Sequence, residues 1–511
     1  MSERSTAVRY ARTLGSVGAM AMIGALLSAC TLGPDYARPQ TPTPGQFHEV
    51  EAGAALPAGA SGVTSSPADV AKWWTALGDN QLSSLIERAL ANNFDVAQAE
   101  ARIRQARASR EITAAGLLPH LNFQGSASRS RSSSGRGLQR RASTGNFFRE
   151  GFDASWELDV FGGIRRNVEA GDATIQARVE DRNDVWVSLA AEVATNYAEL
   201  RGAQEQLEIA RRNLKAQQET LDVTSQRLAA GYVSALDEAN ARSQVATTTS
   251  QIPTYEATVR ANAYAIGVLL GEQPESLVPE LESSRPLPTV PATIAVGLPS
   301  ELLERRPDIR RAASDVHAAT ARIGAATADL FPKFSLVGSL GTQGTEFGQL
   351  GTIADRYWSF GPSISWPVFQ GGQITANIEL QKAAAEESVA AYKGVVLTAL
   401  RDVETSLSNF SREQVRQAAL VEAVAANRQA VDYSLQLYTG GKTDFLNVLN
   451  AQRQLLGSEA SLSQSRTAVM TDLISLYKAL GGGWAPPEQQ PDAFKSIESP
   501  ASAGPSGNAG M

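Results

Sequence analysis

Cysteine is almost absent from this 511-residue chain: Cys30 is its single copy, which excludes an internal disulfide framework and any multi-cysteine metal cluster. Histidine is scarce as well. His48, His120 and His317 are the only three, too few to suggest a His-based metal site, so no metal is expected. Excess positive charge is missing too; a formal net charge of -7 leaves no electrostatic footprint for wrapping nucleic acid. No Walker lysine motif, nucleophile elbow or His-Glu-x-x-His helix occurs, and no convincing pair of catalytic carboxylates. The sequence therefore predicts neither an enzyme nor a bound cofactor.

What is present is enough apolar material for a large core, 43% of residues, with 19% charged. The N-terminus has a distinct grammar. Arg4, Arg9 and Arg12 precede an apolar, small-residue stretch from Leu14 to Leu27, the layout of a secretory signal too short to span a bilayer. It ends Leu27-Ser28-Ala29-Cys30, which looks like a bacterial lipobox, so residues 1–29 are expected to be removed and Cys30 to carry a covalent lipid. Several acyl chains on one residue exceed the two-signal requirement for stable anchoring. Residues 30–70, rich in Pro, Gly, Ala and Ser, read as an extended strap.

The rest of the chain is duplicated. The tract from Gly231 to Ala241 aligns with Gly441 to Ala451, and Leu118-Pro119-His120-Leu121 and Phe161-Gly162-Gly163 recur as Phe331-Pro332-Lys333-Phe334 and Phe369-Gln370-Gly371-Gly372. Each copy carries a stripe at spacing seven: Trp186, Val193, Leu200, Leu207, Leu214, Leu221 and Leu228, then Val396, Val403, Phe410, Gln417, Val424, Val431 and Tyr438. Such a repeat argues for long helices packed in coiled-coil fashion. No proline interrupts the stretch from Gly163 to Gly231, which allows a helix of roughly 65 residues, about 100 Å at 1.5 Å per residue. Gly231 and Gly440-Gly441 then mark reversals into returning helices, since glycine takes positive φ without a steric penalty.

Between the helical parts the period falls to two. Leu121, Phe123, Gly125 and Ala127 alternate with polar residues, as do Phe152, Ala154, Trp156 and Leu158; in the second copy Phe334, Leu336, Gly338 and Leu340 do so, then Trp358, Phe360, Pro362, Ile364 and Trp366. Runs of about ten residues with an apolar face and aromatic ends resemble outer-membrane barrel strands, though soluble hairpins share the alternation. Four strands have open edges that lipid does not tolerate, so other subunits must complete the sheet. Strand arithmetic leaves two, three or four subunits open.

One tract carries a family signature. Gly297-Leu298-Pro299-Ser300-Glu301-Leu302-Leu303-Glu304-Arg305-Arg306-Pro307-Asp308-Ile309-Arg310, followed by Arg322-Ile323-Gly324 and Phe331-Pro332, resembles the outer-membrane factor family of bacterial efflux pumps, the TolC-like proteins, and within it the lipoprotein, NodT-type branch. Trp73-Trp74, Cys30 and the run Leu449-Asn450-Ala451-Gln452 agree with it. The resemblance implies a mainly α fold with a membrane β portion: a homotrimer joining a shared twelve-stranded barrel to a long helical α-barrel. It also implies a periplasmic adaptor (membrane fusion) protein, an inner-membrane, proton-driven RND-type transporter, and residence in the outer-membrane lipid. Expected domains are 71–284 and 285–484 as two efflux repeats and 485–511 as a disordered tail.

In this family the helix ends furthest from the membrane close the tunnel, which points to the tract from Gly441 to Gln452. Asn447 and Asn450 stand where some relatives are acidic, leaving Asp444 as the nearest anion, and Asp444 with Phe445 is expected to narrow the closed end; the competing reading of Asp444 is a helix cap. Gly231, Val233, Ser234, Gly440, Gly441 and Thr443 are the expected adaptor contacts, where small residues permit close approach. The leading expectation is the exit channel of a tripartite pump for small amphipathic compounds. The alternatives are an exit duct for type I protein secretion and a lipid-anchored coiled-coil protein without a pore.

Overall fold

The computed structural model describes residues 31–51, 56–67, 69–131 and 144–485. The expected signal segment, Cys30 and residues 486–511 of the expected tail lie outside the described residues. The main helices are α1 (Asn80–Asn92), α2 (Phe94–Ala115), α3 (Gly163–Ala229), α4 (Ala235–Leu269), α5 (Pro307–Ala328), α6 (Gln373–Thr439) and α7 (Phe445–Ala479). The strands are β1 (Gly62–Thr64), β2 (His120–Arg131), β3 (Thr144–Leu158), β4 (Thr293–Ala295), β5 (Lys333–Gly344) and β6 (Arg356–Ser365). The duplication is visible in the boundaries: α3 and α6 each hold 67 residues, α4 and α7 each 35, and Gly163, Ala229, Ala235 and Leu269 recur as Gln373, Thr439, Phe445 and Ala479. Among the described residues no helix is long and apolar enough to cross a membrane.

The chain divides into two compact units. One comprises 31–40, 101–179 and 311–393 of the described chain, the other 41–100, 180–310 and 394–485. The first holds the four-stranded antiparallel sheet, in the order β2-β3-β5-β6. Its register places Phe123 opposite Phe152, Phe152 opposite Leu340, and Leu340 opposite Trp358, so the apolar positions of all four strands fall on one face. Among the described residues nothing covers that face: Phe123 is 62% exposed, Trp358 77% and Phe360 76%. β2 and β6 are edges without a strand partner among the described residues. Trp156 and Trp366, matching positions in the two copies, each donate an indole N–H to a carbonyl, Leu117 at 2.9 Å and Leu330 at 3.1 Å, which satisfies the polar end of a ring suited to a membrane interface.

The same unit anchors the beginning of the strap. The Cα of Gly324 on α5 lies where a Cβ on Gly33 would be, 2.4 Å away, so neither position has room for a side chain. Arg166 on α3 donates to the Leu32 carbonyl at 3.0 Å and to Asp35 at 2.7 Å, and Tyr36 stacks on His317 with centroids 4.4 Å apart.

The second unit holds the coiled-coil seams. Val193, Leu200, Val403 and Phe410 are fully buried, and Trp186, Val396, Val424, Val431 and Tyr438 nearly so, as the heptad stripe requires. The later strap is docked here by directed bonds: the Glu404 carboxylate accepts from the backbone of His48 at 2.7 Å and Glu49 at 3.1 Å, and Gln414 accepts from Ser61 at 2.7 Å. β1 then pairs in parallel with β4. The hallmark tract caps α5 from its N-terminal end. Pro307 opens the helix, where a missing N–H costs nothing, and Arg306 forks onto Asp308 at 2.7 Å, reaches Asp402 on α6 at 3.4 Å and donates to the Ala479 carbonyl at 2.9 Å. Arg305 pairs instead with Glu301 one turn back, at 2.8 Å. Gly481 and Gly483, at φ 73° and 110°, end α7 as expected of a helix stop.

One carboxylate in this unit is out of line. Burial, with the Glu413 charge adding to it, pushes Asp472 on α7 up from 3.8 to about 6. A folded-state value above the unfolded one means the protonated form is favoured by folding, so this stability is present below about pH 4 and lost as pH rises through about 6. Asp472→Asn removes that dependence. The melting temperature of the natural chain should rise relative to the variant between about pH 7 and about pH 5, and parallel curves would contradict it.

Candidate functional site

The two reversals between long helices are built alike. α3 ends at Ala229, Gly231 takes φ 77°, and Tyr232 N–H returns to the Arg227 carbonyl at 2.9 Å; in the second copy Gly441 takes φ 70° and Lys442 N–H returns to Leu437 at 2.8 Å. The next turn starts with a cap. Ser234 and Asp237 form a reciprocal capping box on α4, and Asp444 caps α7 by accepting from Asn447 N–H at 3.3 Å and from its side-chain amide at 2.9 Å. Thr443 accepts from the same amide at 2.8 Å. The competing expectation for Asp444, that it caps the helix, describes its contacts. Its carboxylate also remains exposed beside Asn447 and Asn450, so three polar side chains share this surface.

Phe445 requires a correction. It was expected to narrow a passage, but it is 2% exposed and packed where the two hairpin ends meet, against Ala241 of α4 and against Tyr438, Val448 and Leu449 of its own hairpin, its ring set edge-on to Tyr438 with centroids 5.7 Å apart. A side chain used to hold the two hairpin ends together is not available to line a lumen. The physical cause is register: Phe445 is the first residue of α7, and the turn of the cap directs it back onto α6.

The nominated adaptor residues do lie at these reversals. Gly231, Ser234, Gly440 and Gly441 are exposed, while Val233 and Thr443 are half-buried, Val233 resting on the Phe445 cluster. The residues that sequence reasoning passed over are the apolar ones beside them. Leu236 and Leu446, equivalent positions, are 68% and 54% exposed, and Tyr232 is 77% exposed. The duplicated tract contained the signal, since the same leucine stands at this place in both copies. Arg227 ties the first reversal to the second hairpin: it lies over the Tyr438 ring at 4.6 Å and donates to the Tyr438 carbonyl at 2.7 Å.

A sheet with an uncovered apolar face and two matched helical hairpins define the protomer of a TolC-like outer-membrane channel. The solved structure of the outer-membrane channel OprN matches with a TM-score of 0.83 and 36% identity over 89% of this chain and all of that one, 100%. The model of the outer membrane efflux protein family matches residues 85–272 and 298–482, and the chain belongs to that family. It is similar to Nodulation protein T of Rhizobium leguminosarum bv. trifolii, with 34% identity over 90% of this chain and 96% of that protein. The pyoverdine export outer membrane protein OpmQ of Pseudomonas aeruginosa is 34% identical over 90% of this chain and 95% of its own length. The protein therefore resides in the outer membrane and serves efflux, in a family of channels rather than of enzymes.

Proposed function

We propose that the chain is the exit channel of a tripartite, RND-type efflux pump, passively conducting drugs or other small amphipathic compounds from a pump and adaptor to the exterior. The sheet carries this reading. Its open edges and exposed apolar face are tolerable in lipid only if identical copies close the ring. A homotrimer gives twelve strands and a passable lumen, whereas eight strands fill with their own side chains. A lipid on Cys30 anchors each copy. The exposed reversals, with Leu236 and Leu446 added to the small residues, are the surface for the periplasmic adaptor, and Asp444, Asn447 and Asn450 form the closed end. Pyoverdine export by a relative supports small compounds over proteins as cargo.

Deleting the gene should raise sensitivity across a panel of toxic compounds and leave the secreted proteins unchanged. Loss of a secreted protein with unaltered sensitivity would instead support type I secretion. At the closed end, Asp444→Ala should alter single-channel conductance and cation preference, because a threefold ring of carboxylates attracts cations. Identical traces would remove Asp444 from the constriction.

A further inference from the structure

The uncovered face of the sheet ends in arginine on both edge strands. On β2 the alternation that puts Phe123 on this face also puts Arg129 and Arg131 there, and on β6 Arg356 shares it with Trp358. All three arginines are exposed, and none makes an ion pair among the described residues. From Ile112 to Arg149 the sequence holds no Asp or Glu, in a chain whose net charge is -7. The single carboxylate that the four strands place on the same face, Glu150, accepts from the Thr342 hydroxyl at 3.2 Å.

The height of these arginines is specific. The other ends of the strands carry Trp156 and Trp366 and join the helices, which on the channel reading lie in the periplasm, so the arginines stand at the outer end. Arg129 lies nine residues beyond His120, whose partner Ser155 adjoins Trp156, and Arg356 lies ten residues before Trp366. At about 3.4 Å per residue and a tilt of about 40°, these spans cover about 23 Å and about 26 Å of membrane, against about 25 Å for the apolar band of an outer-membrane barrel. Between those levels neither edge strand puts a charge on this face. An arginine facing lipid is costly at the midplane and nearly free of cost at headgroup level, which is where these three stand.

The duplication also says how copies meet. His120 corresponds to Lys333 and Ser155 to Ser365, and each pair faces across its own hairpin. Between the hairpins Trp156 pairs with Leu336. The same step from β6 to β2 of the next copy sets Trp366 opposite Phe123, apolar against apolar, and Trp358 opposite Arg131. Arg356 then stands diagonally beside Arg131, within reach of long side chains.

We propose that each seam between copies binds a phosphate-bearing glycolipid of the outer leaflet, its acyl chains along the apolar face and its phosphates on Arg356 of one copy and Arg129 and Arg131 of the next. The proposal rests on the ring of copies and names the lipid at its joints. Guanidinium forks match phosphate geometry, and three of them suit more than one phosphate. Because the arginines close an apolar face, the ligand must carry tails as well as charge, which a free phosphate lacks.

Native mass spectrometry of the purified full chain in detergent, titrated with bisphosphorylated lipid A, tests the site. A trimer should bind the lipid saturably, one per seam, and Arg129→Gln/Arg131→Gln/Arg356→Gln should bind it at least about tenfold more weakly with its oligomer mass unchanged. Arg102→Gln/Arg104→Gln/Lys393→Gln, which removes the same charge from the helices, should bind as the natural chain does. Lipid A stripped of its phosphates, and phosphatidylglycerol with its single phosphate, should bind the natural chain at least about tenfold more weakly, a comparison that needs no variant to assemble. A trimer without saturable binding, equal binding by the sheet variant, equal loss in the helix variant, or indifference to the phosphates would each overturn the site and leave the channel reading standing. A monomer would fail the channel reading itself, and the seam with it.

Discussion

Replacing Arg306 by alanine lowers stability by about 3 kcal/mol, the low end for breaking a buried ion pair, and strips the outer membrane of assembled protein. Arg306 is 9% exposed and serves three partners at once: Asp308 in its own tract, Asp402 on α6 and the last carbonyl of α7. Removing the guanidinium leaves two carboxylates facing each other beside the negative end of a helix. The effect stays at the low end because Asp308 and Asp402 are 25% and 33% exposed and can recover some hydration. Arg306→Lys should rescue only part of the loss, since an ammonium cannot make the fork onto Asp308. Thermal melting of the two variants in detergent checks this; a melting temperature for Arg306→Ala within about a degree of the natural chain would show that the tract is not a structural clamp.

Phe445→Ala is the second large effect, about 3 to 5 kcal/mol of local stability, as expected for truncating a fully packed aromatic side chain. The loss is confined to the ends of the two hairpins, because the cluster consists of Ala241 of the first and Tyr438, Val448 and Leu449 of the second around that ring. Amides of residues 438–452 should lose hydrogen-exchange protection while the seams around Val403 and Phe410 keep theirs. Phe445→Leu should restore much of it. Conductance rises in the alanine variant only because the closed end loosens. If conductance rose with protection unchanged, Phe445 would be a lumen plug and its packing incidental.

Much of the architecture was legible because it depends on local periodicity. The heptad stripes gave the seams, Gly231 and Gly440-Gly441 gave the reversals, and alternation gave four strands whose apolar faces the register then aligns. The hidden features depend on partners remote in sequence. Nothing around His48 announces that Glu404 will cap it, and Gly33 and Gly324 acquire meaning only when the strap crosses α5. Phe445 was misjudged for a related reason: position relative to a turn tells where a residue lies along the hairpin, but not toward which neighbour its ring swings.

The decisive measurement is the mass of the acylated, full-length protein in detergent together with its current in a planar bilayer. Three chains per particle and discrete ion-conducting steps are expected; a monomer that passes no current would contradict the proposal that identical copies close the sheet into a pore.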